Sequence, residues 1–131
     1  MVPERVERRD IYFQKPGAAN TDEVINAVVK RAKETGINKI VVASDSGETA
    51  LQLAERVKGD TKIVVISMKR LRKKAKKELE KRNVIIFENC FPIFRKMGLE
   101  LRKALYMLGQ GFKVAVEVVV MATERGACLL Y

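Results

Sequence analysis

The 131-residue chain contains no histidine and no tryptophan, and only two cysteines. Without imidazole there is no Ser/His or Cys/His nucleophile pair, and a zinc site loses its commonest ligand. Cys90 and Cys128 fall in no CxxC or other metal-ligand spacing. This removes the remaining zinc pattern and suits a reduced, cytoplasmic chain. Long apolar runs are missing as well. The longest, in KVAVEVVVMA, is broken by Glu117 and too short to cross a bilayer, and MVPERVERRD is too charged for a secretory signal, so no membrane association is expected. Nucleotide loops are equally absent. GxxxxGK[ST] does not occur, and Gly109-Gln110-Gly111 precedes a strand-like run instead of following a strand.

What is present is a single domain, residues 1–131, with no linker, repeat or low-complexity tract. A chain of this size buries roughly two-thirds of its unfolded surface without disulfide support. The net charge of +10 is concentrated in KRLRKKAKKELEKR, residues 69–82, where nine Lys or Arg face two Glu. Leu71, Ala75 and Leu79 recur there at i, i+4 and i+8, the narrow apolar stripe of an otherwise charged helix. Two readings stand. One is a solvated outer helix; the other is a nucleic-acid contact surface, salt-sensitive in its binding but without the aromatic pattern or GXXG loop of RNA-binding modules. Abundant Lys, Arg and Glu would also suit a thermophile.

Elements alternate along the chain. Asn20 or Thr21 is placed to cap a helix running to about Glu34, with Asp22 and Glu23 in its first turn. Asn38 to Ala43 reads as a buried strand, Glu48 to Lys58 as a helix, and Thr61 to Ser67 as a second strand. Leu71 to Arg82 is the basic helix, Asn83 to Glu88 a third strand, a helical pattern follows Pro92 to about Leu108, and Lys113 to Ala122 reads as a fourth strand. The strands are continuously apolar, which is how a parallel sheet covered on both faces reads. The expected fold is a three-layer α/β/α sandwich with a mainly parallel sheet.

SDSGET, Ser44 to Thr49, joins the first strand to a helix, so its backbone N–H groups and the helix dipole face the carboxyl edge of the sheet. Ser44, Ser46 and Thr49 add hydroxyls, and Gly47 permits a close backbone approach or a positive φ. Asp45 would repel a phosphate unless it turns away. Helix capping by Ser46, with Glu48 and Thr49 in the first turn, accounts for the same residues.

The layout, and IVVASDSGETALQLAER above all, resembles the C-terminal α/β domain of pyruvate kinase. YFQKPGAANTDEVINAVVKRAKETGI, IVVASDSGETA and FKVAVEVVVMATERGA occur in the order found in stand-alone relatives of that domain. The resemblance implies a mainly parallel sheet in strand order 3-2-1-4, which would set SDSGET at a topological switch point between the first and fourth strands. It also implies a phosphorylated small molecule, with flavin mononucleotide (FMN) as the candidate cofactor. The phosphate would lie at Ser44, Ser46, Gly47, Glu48 and Thr49. Lys15, Gly17, Asn20, Thr21, Met121 and Ala122 would surround the remainder. Relatives carry a longer loop after the second strand and continue beyond the equivalent of ATERGA, so the chain reads as a shortened member. Its apolar tail, Ala127 to Tyr131, is then open to pairing with another copy as a homo-oligomer.

Glu117 is the awkward residue, a carboxylate in an apolar strand facing the same way as Ala115, Val119 and Met121. It requires either a cation or a ligand beside it. With Asp45 alone for company it makes no acid–base pair on which to rest a reaction. The expectation is a phosphorylated-ligand-binding protein; a nucleic-acid-binding domain and a flavin-dependent enzyme are the alternatives.

Overall fold

The computed structural model describes residues 7–128. Three strands, β1 (Lys39–Ala43), β2 (Lys62–Ile66) and β3 (Ile85–Phe87), form one parallel sheet in the order β1-β2-β3. Lys39 pairs with Lys62 and Ala43 with Ile66; Val64 pairs with Ile85 and Ile66 with Phe87. Helices α1 (Thr21–Thr35), α2 (Glu48–Arg56), α3 (Lys73–Lys81), α4 (Leu99–Tyr106) and α5 (Gln110–Glu124) complete the described elements, with short 3-10 turns at Ala18–Asn20 and Ile93–Arg95.

Side chains alternate across a strand, and here the alternation sorts them into two core layers. Ile40, Val42, Ile63 and Val65 join Ile25 of α1, Ala50 and Leu53 of α2, and Leu71 and Leu79 at α3. Val41, Val64, Ile66 and Ile85 join Val118, Met121 and Ala122 of α5. The expected α/β/α sandwich is present in this form, three helices on one face and α5 on the other. Each fully buried Val, Leu or Ile in these layers contributes about 1.5–3 kcal/mol relative to exposure.

The expected fourth strand is a helix. Residues 113–122 lie within α5, and Lys113, Glu117, Val118, Met121 and Ala122 are buried while Ala115 is exposed. That burial follows the 3.6-residue period, not the two-residue one. Valine lowers helix propensity by only several tenths of a kcal/mol per residue, so burying one face of α5 on the sheet outweighs it. The order 3-2-1-4 is therefore present only as 3-2-1 among the described residues, without the switch point between first and fourth strands. The helical pattern after Pro92 is also divided. Gly98, at φ 100°, separates the 3-10 turn from α4, a backbone geometry that interrupts the helical run.

Candidate functional site

The SDSGET turn runs from the carboxyl end of β1 into α2, and its polar groups are largely engaged with their own neighbours. Ser44 is buried; its N–H donates to the Ile66 carbonyl at 3.1 Å, and its Oγ accepts the Ala50 N–H at 3.4 Å. Ser46 Oγ accepts the Glu48 N–H at 3.3 Å. These hydroxyls satisfy two of the N–H groups that a helix start leaves unpartnered. Asp45 turns toward β2: its Oδ1 accepts the Met68 N–H at 2.8 Å, and the Ser67 hydroxyl lies 3.1 Å from the same oxygen. Glu48 accepts from Arg72 at 2.5 Å. The Thr49 hydroxyl has no hydrogen bond among the described residues. Gly47 does adopt a positive φ, 87°, but a Cβ there would meet Ala75 Cβ at 2.9 Å and Leu71 Cδ2 at 3.1 Å. Its missing side chain makes room for the start of α3.

Beside this turn a cleft of about 370 Å³ opens at the carboxyl ends of β1 and β2. Ser44 and Asp45 line it from the sheet, Met121, Glu117 and Lys113 from α5, Arg102 and Tyr106 from α4, and Arg95 from the 3-10 turn. Apolar surface comes from Ile66, Val114 and Val118. Glu117 is buried with its cation: Lys113 Nζ donates to Oε2 at 2.7 Å, and the Phe94 N–H donates to Oε1 at 3.0 Å. This meets the ion-pair requirement for a buried carboxylate. Lys113 Nζ also lies 5.6 Å from the Tyr106 ring centroid, and the Arg102 guanidinium carbon 5.9 Å from it, both within cation–π range. Neither Arg95 nor Arg102 has a carboxylate within salt-bridge distance among the described residues. The cleft thus has an apolar wall, one neutralised ion pair, two guanidinium groups without a carboxylate partner, and the Asp45 carboxylate held by neutral donors at the sheet edge.

Of the residues singled out from sequence, Ser44, Asp45, Glu117 and Met121 line this cleft. Ala122 is fully buried between α5 and the sheet. Ser46, Gly47, Glu48 and Thr49 sit next door without lining it. Lys15, Gly17, Asn20 and Thr21 form a separate turn in which Asn20 Nδ2 donates to the Lys15 carbonyl at 2.7 Å, in place of capping α1 with its side chain. Asp22, just beyond, pairs with Arg56 at the C-terminal end of α2, whereas SDSGET lies at its N-terminal end.

Residues 22–128 match the family described as pyruvate kinase, alpha/beta domain. The chain belongs to that family. The match spans all three strands and all five helices but for the first residue of α1, including α5, so the pyruvate kinase alpha/beta domain assignment covers the whole cleft. No helix among the described residues is long and apolar enough to cross a membrane.

Lys113 escapes a reading that makes 113–122 a strand, and Arg95, Arg102 and Tyr106 fall in the expected helical stretch after Pro92 without a motif to mark them. Arg102–Tyr106 and Lys113–Glu117 are both i, i+4 pairs, a spacing that brings side chains together only on a helix.

The basic helix is partly self-compensated. Arg72 pairs with Glu48, Lys76 with Glu88, and Lys81 with Glu78 at 2.7 Å. The Glu88 carboxyl is held below the usual carboxylate range, first by its hydrogen bond from Lys76 and then by the Leu71 N–H. Glu78 is lowered chiefly by its bond from Lys81.

Proposed function

We propose that this pyruvate kinase alpha/beta domain protein binds a small molecule carrying a phosphate or similar compact anion in the cleft between the sheet edge and α4–α5. The observation that carries this reading is the pair of guanidinium groups without a carboxylate partner, Arg95 and Arg102, on a cleft where Lys113 and Glu117 neutralise each other and the Asp45 carboxylate is held at the sheet edge by the Met68 N–H and the Ser67 hydroxyl. Guanidinium forks suit phosphate, and a hydrogen bond to a charged group contributes about 1.5–3 kcal/mol. The apolar wall of Ile66, Val114, Val118 and Met121 would take the uncharged part of the ligand, as in most small-molecule sites.

FMN has the required chemistry: a phosphate for the arginines and an aromatic ring for the apolar wall and Tyr106. The cleft's 370 Å³ lies near the lower end of the range of about 300–1,000 Å³ for such sites, so a smaller phosphorylated molecule fits more easily than a whole flavin. On this reading the anion sits toward α4 and the 3-10 turn. Ser44 borders it, and SDSGET chiefly shapes the sheet edge. Asp45 and Glu117, both occupied by hydrogen bonds, are structural here, which favours a binder over a flavin-dependent enzyme.

Fluorescence titration with FMN and with riboflavin, which lacks the phosphate, tests the proposal. FMN should bind about 10–100-fold more tightly, the equivalent of one charged hydrogen bond, and Arg102→Gln should abolish the difference. Equal affinities, or an unchanged preference in Arg102→Gln and Arg95→Gln, would overturn the FMN form of the reading. Failure of inorganic phosphate to perturb the Arg95 and Arg102 side-chain NMR signals would overturn the anion site itself.

A further inference from the structure

The start and outward face of α3 carry more positive charge than their ion pairs consume. Arg72, Lys76 and Lys81 are paired, whereas Lys69, Arg70, Lys73, Lys74 and Lys77 are exposed and have no carboxylate within salt-bridge distance among the described residues. Ala75 and Leu79 turn the opposite face of the helix into the core, which leaves Lys73, Lys74 and Lys77 together on the solvent side. Lys73 and Lys74 also stand in a first turn that holds no acidic residue. The helix dipole favours negative charge there, so these lysines work against the helix that carries them. Solvation alone is better served by glutamate at that end.

The fold brings an aromatic ring to the same place from a distant part of the chain. Leu71 N–H donates to Glu88 Oε1 at 2.7 Å, the Asn89 N–H to the Lys69 carbonyl at 3.4 Å, and the Cys90 N–H to the Ser67 carbonyl at 2.9 Å, which ties residues 88–90 to the start of α3. Phe91 follows directly and is 54% exposed, with Lys96 Nζ 5.4 Å from its ring centroid. A ring left this far in water forfeits the burial by which aromatic side chains stabilise a fold. We infer that this surface binds single-stranded nucleic acid, its phosphates on Lys69, Arg70, Lys73, Lys74 and Lys77 and one base stacked on Phe91.

A basic track beside an aromatic platform is the combination that single strands require, because every base has a face to stack. The other polyanions use less of it. A duplex keeps its base faces inside the stack, so Phe91 would find no partner there. A membrane-surface helix lays its apolar face into the lipid boundary, but Leu71, Ala75 and Leu79 are already spent on the core. An acidic peptide would meet the lysines without offering a base to the ring. None of these five cations, nor Phe91, lines the 370 Å³ cleft, so the two sites are separate.

Fluorescence anisotropy with a labelled oligothymidylate of about 12 nucleotides, within the roughly 4–16 that single-strand sites span, tests the inference. Five phosphate contacts should give a slope of log K against log salt near −3.5, at about −0.7 for each. Lys73→Gln, Lys74→Gln and Lys77→Gln together should make that slope shallower by about 2. Phe91→Leu, which keeps apolar bulk, and Phe91→Ala should each weaken binding about 5–150-fold and leave the slope unchanged. An abasic strand of the same length should bind the wild type as weakly as oligothymidylate binds Phe91→Ala. All these side chains are exposed, so the variants should keep the wild-type circular dichroism. No binding at low salt overturns the inference, as does an unchanged slope in the triple variant or equal affinity for the abasic strand. Equally tight binding of a duplex, of polyglutamate or of phosphatidylserine vesicles would also overturn it.

Discussion

Gly47→Ala isolates what the glycine of SDSGET does. At φ 87° an alanine occupies the left-handed region, which costs about 1–2 kcal/mol. Its Cβ would also lie 2.9 Å from Ala75 Cβ and 3.1 Å from Leu71 Cδ2. Ala75 has no rotamer with which to yield, so α3 itself must shift, an overpacking cost of about 1–3 kcal/mol. The sum, about 2–5 kcal/mol, is a large part of the roughly 5–15 kcal/mol that holds a domain folded. Urea unfolding should show it as a lower midpoint with unchanged slope. Ala75→Gly removes the contact but leaves the φ strain, and on its own costs about 1 kcal/mol as a helix glycine. The double variant should therefore be more stable than the two single losses predict, by a coupling of about 1–2 kcal/mol. Strict additivity would refute the contact, and a wild-type midpoint for Gly47→Ala would refute both terms. Since the space belongs to α3 and not to the cleft, folded Gly47→Ala protein should keep its ligand affinity.

The depressed Glu88 carboxyl gives a pH signature. A group whose pKa is lowered on folding contributes stability above its unfolded value, and that contribution is lost as pH falls through the folded value. The stability gap between wild type and Glu88→Gln should therefore be constant near neutrality and close below about pH 4, as followed by urea unfolding at each pH. Replacing Lys73, Lys74 and Lys77 with glutamine should leave phosphate-dependent ligand binding unchanged at fixed ionic strength, since α3 lies on the opposite face of the sheet from α5; a lost affinity in the titration would move the site.

The first half of the chain was legible because local signals agree there. Gly36 closes α1 in a left-handed conformation, SDSGET separates β1 from α2, and the Leu71, Ala75, Leu79 stripe turns inward. The strands at 39–43, 62–66 and 85–87 fall within the apolar runs that announce them. Past Cys90 composition and periodicity disagree. The valines of 114–120 suit a strand, yet Lys113–Glu117, Val114–Val118 and Glu117–Met121 are spaced for a helix, and the bare second face of the sheet decides in favour of α5. The cleft was hidden in part by the same misreading, because Lys113 lies in α5, while Arg95 and Arg102, in the stretch expected to be helical, line a cleft with Ser44 only once α5 packs on the sheet. A tertiary meeting of this kind leaves no motif in a single sequence.

The position of α5 also sets the order in which the molecule can be assembled. β1, β2 and β3 lie side by side in chain order, so each pairing closes only the short loop of its own crossover helix. The return of α5 to β1 closes a loop spanning most of the domain, an entropic cost that grows with length and is met after the local pairings form. A growing or partly folded chain is therefore a sheet with one face covered and the other bare, and that bare face, carrying Val41, Val64 and Ile66, is the surface most exposed to wrong partners before α5 arrives. The cleft comes into being with that final docking, so a chain able to hold a ligand there is one that has finished folding.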